Sequence, residues 1–384
     1  MKISILISEL NVRGGTHKQV HRLCEYLIRN GHEVKLITKF YDSAKCYPGV
    51  ENFNVISFDK FFKETNLIGK INSYVGYLKM ARAAITDSDV INIHDNGLAM
   101  AQLFIKFISP QKNVVWQIND LHGSFRIGVS KKLNDNTHFR LQRALIKYAA
   151  KIAAKITVNV SKNAERVKEF YNKDAEVVYC GVDLRNLSIS EPKKKNIQKI
   201  KLLSTGIFFR YRNYETLLMV QSLLINKGYN VESTIIGTTS LNKEYADEIK
   251  KLAENLKLNC NITGDISEEE LIQYYKDADF FLFLNIDQSW GLAVFEAVNL
   301  GLPTIVSKSV GATELLVDER TAIMVDPLNV NEIAEKVIHL IDNPDYRSML
   351  TKNGFYSVLD MTWDKMYSSK IEKIFYDLLN KNIK

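Results

Sequence analysis

Proline is scarce, at 6 in 384 residues, and cysteine scarcer, at 4. No apolar run approaches the roughly 18 residues that a membrane-crossing helix requires. Each shortage excludes something. So little proline rules out collagen-like and proline-rich disordered chains. Cys24, Cys46, Cys180 and Cys260 stand too far apart for a Cys-x-x-Cys site, and a chain of this length needs no disulfide staples, so reduced structural thiols are expected. The opening MKISILISEL lacks the apolar core of a signal peptide and reads as a short strand. A cytoplasmic location is therefore expected. There is no G-x-G-x-x-G dinucleotide fingerprint and no RNP, zinc or helix-turn-helix signature, so the basic pI does not by itself indicate a nucleic-acid protein.

What is present is a foldable, moderately basic chain: 46 % hydrophobic, 25 % charged, net charge +7. Its length suggests two or three domains at about 150 residues each. The charge is unevenly placed, with 27 Lys and Arg against 16 Asp and Glu in residues 1–180, and 24 against 28 in residues 181–384. The two parts thus carry +11 and −4.

Short β-rich runs alternate with helical patterns, as in a parallel α/β fold. Strands are predicted at Ile3–Ser8, Val34–Thr38, Val90–His94, Val114–Ile118, Ile156–Val160 and Val177–Tyr179. A second series follows at Ile200–Thr205, Ser233–Ile236, Asn261–Gly264, Phe280–Leu284, Thr304–Ser307 and Ala322–Val325. Between the series, the polar stretch SISEPKKKNIQK (188–199) joins neither core. The expected organisation is a doubly wound domain 1–190, a linker 191–199, a second doubly wound domain 200–361 and a C-terminal helix from 362 to 384.

Two constellations can meet an anion. Gly14 and Gly15 open the helix after the first strand, where backbone N–H groups can approach a ligand closely. In LFLNIDQSWGLAVFEAVNLGLP, Gln288, Ser289, Gly291 and Leu292 lead from a buried strand into a helix whose first N–H groups are free for a phosphate, and Glu296 lies one turn inside. Its carboxylate suits a pair of vicinal hydroxyls. Either constellation alone is more often a structural turn or cap.

The order of motifs is more telling. Gly14-Gly15 is followed by Gly31-His32-Glu33-Val34, by Ser161 opening a helix, and by Gly181-Val182-Asp183. Then come Gly206 with Arg210-Tyr211-Arg212-Asn213, Gly237 after a strand, ITGDIS at 262–267 and the loop and helix at 288–297. In this order, over the whole chain, the sequence resembles the family 4 glycosyltransferases of GT-B fold. The resemblance implies two tandem Rossmann-like domains facing a central cleft, the first for the acceptor and the second for the donor, with the last helix returning to the first. It implies retaining transfer of a hexose from a UDP- or GDP-linked donor, with no metal and no cofactor beyond the nucleotide-sugar co-substrate. Cell-surface polysaccharide or glycoconjugate assembly is the expected setting.

By the same resemblance, Gly14, Gly15, Gly206, Gly237, Ile266, Gln288, Ser289, Gly291, Leu292 and Glu296 are donor-binding candidates. Arg210, Arg212, Asn119 and His122 are catalytic candidates, with either Asn119 or His122 to face the donor sugar, and His94 and Asp120 face the acceptor. Two departures stand out. The paired acids with seven residues between them become Gln288 and Glu296, and the Gly-Arg…Lys pair that grips the diphosphate becomes Gly206-Ile207…Arg212, with Arg210 available as a second cation. They leave open a second reading, a catalytically weakened nucleotide-sugar-binding or scaffold subunit. A sugar-nucleotide epimerase fits less well, because the basic cluster serves a diphosphate. For the acceptor side, residues 58–85 interleave aromatics with lysines, and 138–156 form a basic helix without acids. They suggest an anionic membrane surface or a lipid-linked acceptor, with the chain peripheral on the inner face of the cell membrane.

Overall fold

The computed structural model describes residues 1–63, 66–120, 137–184 and 199–381. It divides into two compact units, Met1–Gly181 with Thr362–Lys384, and Val182–Met361. The expected limits were 190 and 361. Nearly all of the expected linker, together with His122, lies outside the described residues.

The first unit is built on a seven-stranded parallel sheet ordered β3-β2-β1-β4-β5-β6-β7. The strands are β1 Lys2–Leu10, β2 Glu33–Tyr41, β3 Asn54–Ser57, β4 Val90–His94, β5 Asn113–Ile118, β6 Lys155–Val158 and β7 Glu176–Val177. Helices cover both faces of a parallel sheet, so its central strands are apolar throughout; Ile3, Ile5, Leu6 and Ile7 are all buried. β3 is the strand that periodicity does not announce. It is four residues long at the sheet edge and fully buries none of them.

The second unit repeats the plan with six parallel strands ordered β10-β9-β8-β11-β12-β13. They are β8 Ile200–Thr205, β9 Val231–Ile236, β10 Cys260–Gly264, β11 Phe280–Phe283, β12 Thr304–Ser307 and β13 Ile323–Val325. In both sheets the strand order reverses once, between β1 and β4 and between β8 and β11. The carboxyl ends of those strands form the crevice where open α/β sheets take their ligands.

The C-terminal segment belongs to the first unit. A π-helical turn, Asp364–Ser368, leads into the helix Ser369–Lys381, which buries Ile371, Ile374 and Phe375. Glu372 of this helix accepts from the Tyr26 hydroxyl at 2.9 Å and lies 2.7 Å from His32 Nε2. The Met1 amino group is 3.1 Å from the other ring nitrogen of His32. The Gly-His-Glu-Val sequence thus ends a helix and anchors both chain termini. Gly181 is fixed by the same docking, since a Cβ there would lie 2.2 Å from the Trp363 Cα.

Removing this anchor has a defined cost. Glu372→Ala leaves buried His32 and the Tyr26 hydroxyl without their acceptor, and is expected to destabilise the first unit by about 1–3 kcal/mol. Thermal denaturation measures it, and an unchanged transition contradicts the anchoring role.

Candidate active site

In the second unit the site begins with three glycines at adjacent strand ends. Gly206, Gly237 and Gly264, after β8, after β9 and at the end of β10, all have positive φ, of 147°, 152° and 74°. At Gly237 a Cβ would stand 2.0 Å from the Gly206 carbonyl oxygen, and at Gly206 it would stand 2.6 Å from the Arg212 guanidinium carbon. The Gly206 carbonyl also accepts from the Tyr214 hydroxyl at 2.7 Å. Bare backbone here is what lets the Arg212 side chain lie over the end of β8.

Arg212 is held from several sides. It closes the turn Arg210–Arg212, and its guanidinium lies 5.2 Å from the Tyr211 ring centroid and 5.6 Å from that of Phe283, the last residue of β11. A cation therefore sits at the reversal point between β8 and β11. Its buried Nε has no hydrogen-bond partner among the described residues. Arg210, expected beside it, is engaged otherwise. Its guanidinium makes two hydrogen bonds to Glu248, at 2.8 and 2.6 Å, and lies over the Tyr245 ring. A carboxylate that fits the guanidinium fork already neutralises this charge.

The helix Leu292–Asn299 begins beside the same strand end. Gly291, at φ 98°, precedes it, and a Cβ there would meet Val310 at 2.8 Å and Phe283 at 3.3 Å. Ser289 is buried, and the Gln288 backbone bridges to Val310 while its side-chain oxygen accepts from Asn285 at 3.3 Å. Tyr275 links this helix to β8, with its hydroxyl 3.3 Å from Thr205 Oγ1 and 3.5 Å from the Ala293 carbonyl. Glu296 is half-buried one turn in, and half-buried Ile266 lies between Gly264 and Ser267, which caps the next helix with Glu270. The structure thus gathers Gly206, Gly237, Arg212, Gly291 and Leu292 around the ends of β8 and β11.

In the first unit, Gly14 caps the helix Gly15–Arg29 with extended backbone, so the value of the glycine pair lies in its lack of side chains and not in a left-handed conformation. Asn119, with His122 one of two candidates to face the donor sugar, is fully engaged. It donates to Thr16 Oγ1 at 3.1 Å and to Gln19 Oε1 at 2.6 Å, and accepts from Gln117 at 2.9 Å. Its amide positions the start of the helix. Asp120 is exposed, and its carbonyl accepts from Asn96.

His94, expected to face the acceptor, is fully buried at the end of β4, with Nε2 2.8 Å from Asn92 Oδ1. Desolvation drives its pKa down to about 3, so it stays neutral. The next residue, Asp95, occupies the reversal point between β1 and β4, and no sequence motif marks it. It is half-buried, with φ 72° although it is not a glycine. Its carboxylate accepts from the Ser8 N–H and hydroxyl at 2.9 and 2.7 Å and from the Gly97 N–H at 2.8 Å. Burial raises its pKa, opposed by these bonds and by Lys39. Lys39 follows β1's neighbour β2 to the same edge, its ammonium near the Phe62 and Tyr77 rings at 5.8 and 5.9 Å, and burial lowers its pKa. A strained, half-buried acid beside a partly buried cation is the arrangement that functional sites carry. Its signal in the sequence is position, one residue beyond a strand at the reversal point.

Two measurements check this geometry. Gly237→Ala is expected to destabilise the second unit by several kcal/mol, because backbone blocks the new methyl and φ disfavours it; a thermal transition within a degree of wild type contradicts the close approach. His94 binds a proton in the unfolded chain below about pH 6.5 but not in the fold until about pH 3. Its contribution is therefore complete above the upper value and is lost as pH falls, with a slope of up to about 1.4 kcal/mol per pH unit. Urea unfolding should show His94→Gln flatter than wild type between about pH 5 and pH 6.5, and equal slopes contradict its buried, neutral state.

Comparison with known proteins agrees with this architecture. The family model described as "Glycosyltransferase Family 4" matches residues 13–186, and that described as "Glycosyl transferases group 1" matches residues 187–356. An alpha-monoglucosyldiacylglycerol synthase of Acholeplasma laidlawii is 23 % identical, covering 96 % of this chain and 95 % of the relative. Among solved structures, sucrose-phosphate synthase of Thermosynechococcus elongatus aligns with a TM-score of 0.79 at 17 % identity, covering 99 % of both chains. HepE of Anabaena in complex with UDP-glucose aligns at 0.76 and 16 %, covering 99 % of this chain and 100 % of that one. With the two models meeting end to end along it and a Rossmann-like parallel sheet in each unit of its GT-B fold, the chain belongs to the family 4 glycosyltransferases.

Proposed function

We propose that this glycosyltransferase moves a hexose, with retention, from a UDP- or GDP-linked donor to a hydroxyl of a glycan or lipid-linked acceptor in cell-surface polysaccharide or glycoconjugate assembly. The observation that carries the donor side is Arg212, a partly buried cation held over bare glycine backbone at the β8/β11 reversal point, next to a helix N-terminus. HepE, of the same fold, binds UDP and UDP-glucose.

In this reading the C1–O bond to the diphosphate breaks and the acceptor oxygen bonds to C1 on the same face. The acceptor's proton passes to the leaving phosphate oxygen, so no side-chain base is required. Negative charge grows on the diphosphate, and catalysis lies in stabilising it. Arg212 and the first N–H groups of the Leu292–Asn299 helix supply that stabilisation without a metal ion. Glu296 receives the ribose hydroxyls. Gln288 meets the sugar with an amide that can donate as well as accept, so donor preference shifts without activity being lost. On the acceptor side, Asp95 and Lys39 replace His94 as the groups to consider.

Gln288 and Ile207 are also what a binding or scaffold subunit would show, and turnover separates the two readings. Arg212→Ala is expected to lower kcat/KM by about 10²- to 10³-fold with a nucleotide-sugar donor. Arg210→Ala, which removes a surface pair already satisfied by Glu248, should change it only a few-fold. Equal losses for both variants contradict the assignment to Arg212. A saturating UDP- or GDP-sugar, at about 100 times its Kd, adds about 2.7 kcal/mol of stability; no shift with any donor removes the donor reading, and binding without turnover establishes the scaffold.

A further inference from the structure

Three helices of the first unit form one neighbouring layer. Leu67–Ile85 packs against Ala99–Ile108, which packs against Thr137–Ile152. These helices, of 19, 10 and 16 residues, contain not one Asp or Glu. Their outer surface carries Lys70, Lys79, Arg82, Arg140, Lys147 and Lys151, all exposed. Among these cations stand apolar side chains that the fold leaves in water: Ile68, Ile71 and Tyr74 on the first helix, Phe107 on the second, and Leu141 and Tyr148 on the third. Phe107 is 82 % exposed and Ile68 64 %.

Single exposed apolar residues are ordinary, but several across adjacent helices with charge of only one sign between them are not. The pattern on the first helix is regular, with 68, 71 and 75 recurring on one face beside 74. Its inner face is satisfied separately, with Met80, Ala81 and Ala84 in the core. The outward face is therefore a second amphipathic surface, not a misassigned core.

We propose that this layer docks the protein on an anionic lipid bilayer. The chemistry selects a bilayer over other polyanions. A nucleic acid backbone satisfies the lysines but offers nothing to Ile68, Ile71, Phe107 and Leu141. A leaflet with acidic headgroups satisfies both: lysine and arginine heads stay at the phosphate level while aliphatic tips enter the acyl boundary and tyrosines sit between. No described helix is long and apolar enough to cross a membrane, so the contact is parallel to the surface. The proposal stands on this surface alone and does not depend on the transfer chemistry.

Flotation of the full chain with phosphatidylcholine vesicles, and with vesicles also containing phosphatidylglycerol, tests it. Recovery is expected only with the anionic vesicles and should fall as salt is raised. Two variants separate the contributions: Lys79→Glu/Lys147→Glu/Lys151→Glu for the charge, and the charge-neutral Ile71→Ser/Phe107→Ser/Leu141→Ser for the insertion. Each is expected to lose at least about tenfold in vesicle partitioning. Because every substituted side chain is exposed, near-ultraviolet circular dichroism and the nucleotide-sugar thermal shift should stay those of wild type. Equal recovery on neutral and anionic vesicles overturns the proposal. So does an apolar variant that floats like wild type, or displacement from the vesicles by an equal charge of single-stranded DNA, which would identify a general polyanion surface instead.

Discussion

The second unit's site depends on one close approach: the Gly206 carbonyl lies where any side chain at position 237 would have to go, 2.0 Å from an added Cβ. Everything next to it follows from that backbone contact. The same carbonyl takes the hydroxyl of buried Tyr214, which fixes the start of the helix that follows the arginine turn. The missing side chain at 206 leaves space that the Arg212 guanidinium fills, between Tyr211 and Phe283. A guanidinium stacked on rings and pressed against peptide backbone loses little entropy on meeting a ligand, because little freedom remains. Glycine here is less a source of flexibility than a condition for rigidity.

The first unit reaches the same end with hydrogen bonds. Asn119 ties the Gly15–Arg29 helix to β5, Gln117 extends the link to Thr157 on β6 and to Tyr367 in the C-terminal segment, and Asn163 bonds the Asn119 carbonyl. A network of this kind is rigid only when its members are satisfied. It explains why the C-terminal helix belongs to the first unit: its approach supplies the Tyr367 hydroxyl to Gln117 and the Glu372 carboxylate to His32.

Much of this is legible in the sequence, for a physical reason. Central parallel strands are buried on both faces and announce themselves as apolar runs, so twelve of the thirteen strands among the described residues overlap a predicted segment. The exception, Asn54–Ser57, lies at an edge where half of that signal is absent. Backbone-determined site residues are legible too, because a glycine directly after a buried strand marks a point where the chain needs positive φ or bare backbone. What the sequence does not reveal is the direction of side chains. Arg210 and Arg212 are two residues apart in one turn, yet one meets Glu248 and the other lies over Gly206. His94 and Asp95 are adjacent, yet the histidine turns into the core while the aspartate takes the reversal point. One residue of register decides such cases, and composition carries no information about it.

The same distinction between amount and placement governs the charge. Residues 181–384 are net negative, yet they hold Arg212, a cation whose position suits a diphosphate. There its field acts through rings and backbone, where screening is weak. Residues 1–180 carry the excess of positive charge, but much of it is spread over exposed lysines and arginines of the helix layer. At physiological salt such charges are felt only within about 8 Å. Their reach is limited to a surface in direct contact, so bulk charge of this kind acts at a face, whereas the chemistry of a site rests on a few placed groups.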